Sequence, residues 1–206
     1  MVGLFQAFNQ ENSMAEMKTN KKILNAAQDL LSKGGANAVS FDKVAAELGI
    51  TKQAVLYWFP SKSALLAAMF IDWLDAEAQA AEDAVKSVKT ANEAISAFVT
   101  EIVSFHAENF DRFRMMYLAP QTLKVGSQVS RKEEAMDEIH QATSKLYGYL
   151  AEKLDGSAVE SRQTAFVIHT SVLGLVMMLA LADSVSDPLA HSESELVNSL
   201  VARLIT

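Results

Sequence analysis

The sequence predicts an all-α protein: an N-terminal three-helix head, then a C-terminal antiparallel helical-bundle body, about nine helices in all. Three observations predict it. Half of the 206 residues are apolar and about a fifth are charged, the balance of a globular chain. Only eight glycines and three prolines (Pro60, Pro120 and Pro188) interrupt it. Between these breaks apolar residues recur at helical spacing, and the helix formers alanine and leucine abound.

Charge divides the chain. Residues 1–16 carry −2, residues 17–62 carry +4 and residues 63–206 carry −9, within a total of −7. A short basic module joined to an acidic body suggests a nucleic-acid end and an end with another task. There is no cysteine, which excludes a disulfide framework, a thiolate metal site and a cysteine nucleophile, and fits a cytoplasmic protein. The start, MVGLFQAFNQENS, lacks the basic-then-apolar order of a signal peptide. Residues 1–15 are expected to form a flexible arm. The run AFVIHTSVLGLVMMLALA, Ala165 to Ala182, nearly reaches membrane-spanning length, but His169, Thr170, Ser171 and Gly174 interrupt it and no basic flank sets a topology. It is expected to be a helix buried in a core or dimer interface, with no membrane partner.

The head is expected over residues 16–61. Helix one runs from about Glu16 to Lys33 on a stripe of Ile23, Ala27, Leu30 and Leu31, and Gly34 and Gly35 stop it. Ser40 caps a second helix, Phe41 to Leu48, with Asp42 in its first turn. Gly49 allows a tight turn and Thr51 caps a third helix, Lys52 to Trp58. Pro60 interrupts and Ser61 caps a long fourth helix. Two short helices about a glycine-containing turn, braced by a longer one, form a helix-turn-helix. Val55 and Phe59 would anchor helix three, leaving Lys52, Gln53 and Tyr57 outward. Lysine and glutamine suit base edges, and tyrosine and lysine suit phosphates. Lys62 opens a helix, where free amides also favour a phosphate. The alternative is a plain three-helix core with solvated polar residues, and spacing leaves the two readings even.

The stretch SFDKVAAELGITKQAVLYWFPSKSALLAAMF, Ser40 to Phe70, resembles the DNA-binding domain of the tetracycline-repressor (TetR) family. The resemblance rests on Ser40, Val44, Ala45, Gly49, Ile50, Thr51, Lys52, Tyr57, Phe59, Pro60, Ser61, Lys62 and Leu65, and with helix one it covers residues 17–70. It implies a homodimeric transcription regulator, usually a repressor, on a double-stranded DNA operator. It further implies that residues 52–58 are the recognition helix, that Ser40, Tyr57 and Lys62 contact phosphates, and that Lys52 and Gln53 approach bases. Thr51, Ala54 and Trp58 complete the expected contact set. The chain departs from the commoner pattern at Leu56, which replaces a tyrosine, at Gln53 and at Trp58.

The body is expected over residues 62–206: a helix from Lys62 to about Lys86, then Ala91 to Asn109, a shorter one from Phe110 to Gln121, a polar loop at 122–130, and helices Arg131 to Leu154 and Val159 to Asp183. Pro188 breaks the chain, and Ser192 with Glu195 forms a capping box for a last helix ending near Ile205. A helix apolar nearly all round must be covered on more than one side. The last two helices therefore suit a four-helix interface with a symmetry mate, with Val172, Val176, Leu179, Leu196, Leu200 and Leu204 as expected interface residues.

A bundle with inward aromatic, methionine and polar residues can hold a small apolar effector. The candidate lining is Phe98, Ile102, His106, Met116, Tyr117, His140, Thr143, Tyr147, Phe166, His169, Thr170 and Met177. Each also reads as ordinary core or surface. Effector binding would act on DNA affinity by linkage through helix four. No catalytic residue, cofactor or metal is expected. The trios His106, Glu108, Asp111 and Glu133, Asp137, His140 lack a ligand motif, and no phosphate loop or nucleophile elbow appears. Rival readings are a protein-interaction module that no longer reads DNA and a metal-assisted hydrolase.

Overall fold

A computed structural model describes residues 2–118, 132–186 and 189–205. The described residues are helical with short connections, and contain no strand. The helices are α1 (Val2–Ala38), α2 (Phe41–Leu48), α3 (Lys52–Trp58), α4 (Lys62–Val85), α5 (Ala91–Ala107), α6 (Phe110–Phe113), α7 (Lys132–Ala151), α8 (Ala158–Val185) and α9 (Glu193–Leu204). A wide π turn, Arg114–Leu118, continues α6. The expected stop at Pro120, the loop 122–130, the start at Arg131 and the break at Pro188 lie outside the described residues.

The chain forms two compact units, one ending at Met69 and the other starting at Phe70. The division falls inside α4, beyond the Ser61 boundary the sequence suggested, and Leu65 and Met69 are fully buried on the head side of it. In the head, α1 packs on α2 and α2 on α3. Ile23, Ala27, Leu31, Val44 and Val55 are fully buried, and Phe59 nearly so.

Local chemistry sets the helix ends. Ser40 Oγ accepts from Lys43 N and Thr51 Oγ1 from Ala54 N, satisfying amides that each helix start leaves unpaired. Ser61 Oγ accepts from Ala64 N in the same way. Gly49 closes α2 in the left-handed region at φ 64°, and Gly35 breaks α1 at φ 65°. α1 also starts at Val2, ahead of the start expected near Glu16. Residues 2–15 have no proline and only Gly3 to oppose helix formation.

In the body, α5 packs against α6, α7, α8 and α9, and α8 against α7 and α9. Phe98 and Ile102 of α5, Phe113 of α6, Leu146 and Leu150 of α7, Val172 and Val176 of α8 and Val197 of α9 share one core. Capping boxes start α5 (Thr90 with Glu93), α8 (Ser157 with Glu160) and α9 (Ser192 with Glu195). By length and composition α8 could cross a membrane. It lays Ala165, Ile168, Val172, Val176 and Leu179 into the body core.

An added Cβ at Gly49 meets nothing within 4 Å, so its cost is conformational alone. Gly49→Ala should lower unfolding free energy by about 1–2 kcal/mol, and Gly49→Asn by less, because asparagine tolerates the left-handed region. Urea denaturation of the three proteins measures both.

Candidate functional site

The head presents one polar helix face. Val55 is wholly inside and Phe59 nearly so, which fixes the rotation of α3 about its axis. Lys52, Gln53 and Tyr57 consequently stand outside, with Tyr57 77% exposed. Ala54, Leu56 and Trp58 are half-buried, and the Tyr57 and Trp58 rings meet edge to face at 5.3 Å. Thr51 and Lys62 are exposed at the starts of α3 and α4, and Ser40 is half-buried at the start of α2. All eight residues expected at DNA thus lie on α3 or at a helix start.

Lys52 Nζ lies 2.9 Å from Asp42 Oδ2 of α2, and both side chains are largely exposed. An ion pair this wet contributes little stability. It orients the lysine while leaving it free to exchange its partner for a phosphate or a base edge.

The body holds a buried polar cluster centred on Glu77 of α4. Glu77 is fully buried. Its Oε1 accepts from His106 Nε2 of α5 at 3.1 Å and from His169 Nε2 of α8 at 2.9 Å. Its Oε2 accepts from the Tyr117 hydroxyl at 2.6 Å. The carboxylate has no proton to give, so each imidazole must carry its proton on Nε2. His169 Nδ1 is then left to accept from the Tyr147 hydroxyl of α7 at 3.4 Å. His106 Nδ1 is buried with no hydrogen-bond partner among the described residues. Aromatic edges close the cluster: His106 meets Phe105, Phe113 and Tyr117, and His169 meets Phe98 and Tyr147.

Burial by itself would push the Glu77 carboxyl up. The hydrogen bonds from His106 and His169, and their charge when protonated, outweigh it and hold the group at about 2. Burial and the neighbouring carboxylate push the Tyr117 phenol well above its ordinary value and raise Tyr147 too. Tyr117 and Tyr147 therefore remain hydroxyl donors across the physiological range.

The π turn delivers Tyr117. Arg114, at its start, reaches Asp111 at 2.9 Å, Ala180 O at 2.7 Å and both Asp183 and Ser184 at 2.8 Å, so it ties the turn to the end of α8. Arg112 donates to Phe105 O and lies over the Phe105 ring. Such wide turns often occur at functional positions, because the extra residue re-aims the side chains beyond it.

The expected effector residues separate into two groups. Phe98, Ile102, His106, Met116 and His169 are buried, and Tyr117 and Tyr147 half-buried; of these, His106, Tyr117 and His169 bond Glu77, and Phe98 and Tyr147 meet His169. Phe166, Thr170 and Met177 are exposed on the outer face of α8, and His140 is exposed on α7. Thr143 is half-buried and its hydroxyl returns to Ile139 O of its own helix. Of the residues expected at a dimer interface, Val172, Val176 and Leu179 face the chain's own core, and Leu196, Leu200 and Leu204 pack partly against it. The outward lane of α8 is Phe166, Val167, Met177, Met178, Leu181 and Val185. A helix apolar on every side gives its sequence no phase, so the two lanes could not be told apart.

Glu77 itself is absent from the residues expected at the site. A signal is present: Met69, Trp73, Glu77, Ala81 and Val85 are buried at four-residue spacing along α4, one carboxylate in an otherwise apolar lane. Among the described residues no group of histidines and carboxylates is arranged to hold a metal ion.

The shift at Glu77 sets a pH dependence. Its folded value lies below the ordinary 4.5, so its stabilisation is complete above about 4.5 and is lost as pH falls toward 2. The stability difference between the wild type and Glu77→Gln should be constant at neutral pH and shrink by about 3 kcal/mol between pH 5 and pH 2. Denaturant titrations at stepped pH check it.

Comparison with known proteins agrees with this geometry. Residues 23–69 match the family model described as bacterial regulatory proteins, tetR family. The fold is similar to the transcriptional regulator FadR from Bacillus subtilis, solved with stearoyl-CoA: TM-score 0.64, 17% identity, 90% of this chain and 97% of that one. It is similar to the TetR-family regulator PfmR from Thermus thermophilus: TM-score 0.58, 17% identity, 89% and 96% coverage. It is also similar to the multidrug-binding protein EbrR, solved with imidazole: TM-score 0.60, 17% identity, 91% and 94% coverage. A search of curated proteins found no match. The protein thus has the head of the tetR family of bacterial regulatory proteins and, over nearly its whole length, the fold of a TetR-family transcriptional regulator.

Proposed function

We propose that the protein is a cytoplasmic, ligand-responsive transcription regulator that reads a specific DNA sequence as a homodimer. In this reading it represses from a palindromic operator and leaves it when a small apolar or amphipathic effector occupies the body. The observation that carries the reading is the rotation of α3. Val55 and Phe59 are inside, so Lys52, Gln53 and Tyr57 form an exposed polar face on a basic module. Lys52 and Gln53 have the groups to bond base edges, and Ser40, Tyr57 and Lys62 those to hold phosphates.

Dimerisation is supported by the outer lane of α8. Met177, Met178, Leu181 and Val185 are each about half exposed or more, an apolar strip that favours cover by another surface. A second copy would cover it and supply the second head that a two-half-site operator needs. Effector response is supported by α4, which starts at Lys62 beside the recognition helix and carries Glu77 into the body. A ligand that binds better to one setting of α4 must change operator affinity by the same factor that DNA changes ligand affinity.

Selection from a random duplex pool by the purified protein tests the reading. It should enrich a palindrome, with affinity falling steeply as salt rises. On that duplex Lys62→Gln should weaken binding to all sequences alike and lower the salt slope by about 1. Gln53→Ala should cost about 1–3 kcal/mol and relax preference at one base pair per half-site. Weak, unselective binding would contradict the proposal.

A further inference from the structure

One member of the buried cluster also borders an open recess. Tyr147 of α7 bonds His169 through its hydroxyl, and its ring also forms a wall of an open recess between α7 and the first turns of α8. The recess has a volume of about 720 Å³ and is lined further by Val159, Arg162, Gln163, Phe166 and Val167. That volume is of the order that small-molecule sites occupy. Tyr147 and Phe166 meet edge to face at 5.6 Å across it.

The lining has a definite chemistry. Its walls are apolar, with Val159, Phe166 and Val167 all more than half exposed. Arg162 is the one charged residue in it. The guanidinium lies 5.8 Å from the Tyr147 ring and reaches only Ser144, at 3.3 and 3.5 Å, with no carboxylate partner among the described residues. One cation over an apolar floor complements an amphipathic anion. A carboxylate accepts two parallel bonds from a guanidinium, and an alkyl chain fills the remainder.

We propose that this recess binds an amphipathic carboxylate through Arg162, and that Tyr147 reports its presence to Glu77 through His169. The proposal rests on the ligand-responsive reading above and names its ligand class and its route. A phenol has one proton to donate. Its present acceptor, His169 Nδ1, is 3.4 Å away, a long bond. A carboxylate held on Arg162 is a stronger, ionised acceptor beside the same ring. Occupancy draws the Tyr147 hydroxyl outward and strips His169 Nδ1 of its partner. His169 is nearly fully buried and holds Glu77 Oε1 at 2.9 Å, so its rearrangement acts directly on a carboxylate of α4. The next step inward is His106, on the same Glu77 oxygen, whose Nδ1 has no hydrogen-bond partner among the described residues.

The test uses the purified full-length protein, with dodecanoate and dodecanol titrated below their micelle concentrations by calorimetry. Dodecanoate should bind at least tenfold tighter than dodecanol. Arg162→Met, at an exposed position, should abolish that preference and leave dodecanol binding unchanged. The chain has four histidines, so imidazole resonances are readily assigned. Dodecanoate should shift the His169 signals in the wild type, whereas Tyr147→Phe, which lacks the hydroxyl drawn toward the carboxylate, should bind dodecanoate more weakly and show no such shift at saturation. Equal affinity for the two probes, or a preference that survives Arg162→Met, overturns the ligand class. An unchanged His169 spectrum on a saturated wild-type protein overturns the route. Competition between dodecanoate and self-association would assign the recess to a second copy of the chain and overturn the site. None of these readouts uses DNA. A protein that gives the expected pattern but fails operator selection therefore contradicts the regulator reading alone.

Discussion

One buried carboxylate organises the body. Glu77 is removed from water entirely, and an unpaired charge in that position would cost several kcal/mol. The chain answers with three donors, from α5, from the π turn and from α8, and two of them converge on a single oxygen. Each donor must keep its rotamer for the charge to stay satisfied, so one group fixes the mutual setting of several helices. Hydrophobic packing around Phe98, Ile102 and Leu150 supplies the bulk of the burial, but apolar contacts are tolerant of small shifts. The directional bonds to Glu77 are not. A core built this way has a preferred arrangement and a defined place at which to disturb it.

The same helix that carries Glu77 opens at Lys62, and this continuity joins two opposite requirements in one chain. The head must be basic and polar on one face of α3, which Val55 and Phe59 secure by burying the other. The body is acidic overall, and Glu77 keeps its ionised form through hydrogen bonds and imidazoles, without a lysine or arginine as direct partner. The net charge of −7 therefore says little about residues 17–62, which carry +4. Residues 23–69 match the tetR family model, and the whole chain has the fold of solved TetR-family regulators.

Between Ser40 and Trp58 the head is legible in the sequence almost to the residue, because its elements there are bounded by local chemistry. Ser40, Gly49 and Thr51 mark their own positions through side-chain caps and one left-handed turn. The body is legible in its elements but not in its contacts. Ser192 with Glu195 announces α9, and the boxes at Thr90 and Ser157, which obey the same rule, become evident only in the structure. The phase of α8 is not readable, since Val172 and Met178 look alike in sequence and only packing sends one inward and the other outward. His106, Tyr117, Tyr147 and His169 stand out as polar groups among apolar ones. Glu77, the common partner of His106, Tyr117 and His169, does not, because it lies far away in sequence on a helix that reads as a mechanical link. A carboxylate recurring in an apolar lane is the signal that connects such groups.

The central claim is that α3 reads base edges, and groove-specific chemistry on bound DNA tests it most directly. Dimethyl sulfate methylates guanine N7 in the major groove, the edge that Lys52 and Gln53 have the donors to cover. On the duplex the protein selects, guanines should be protected in two patches related by the palindrome, and Lys52→Ala should lose that protection with its fold intact. Full methylation of every guanine under saturating protein would contradict the claim, for the head would then be holding the backbone without entering the major groove.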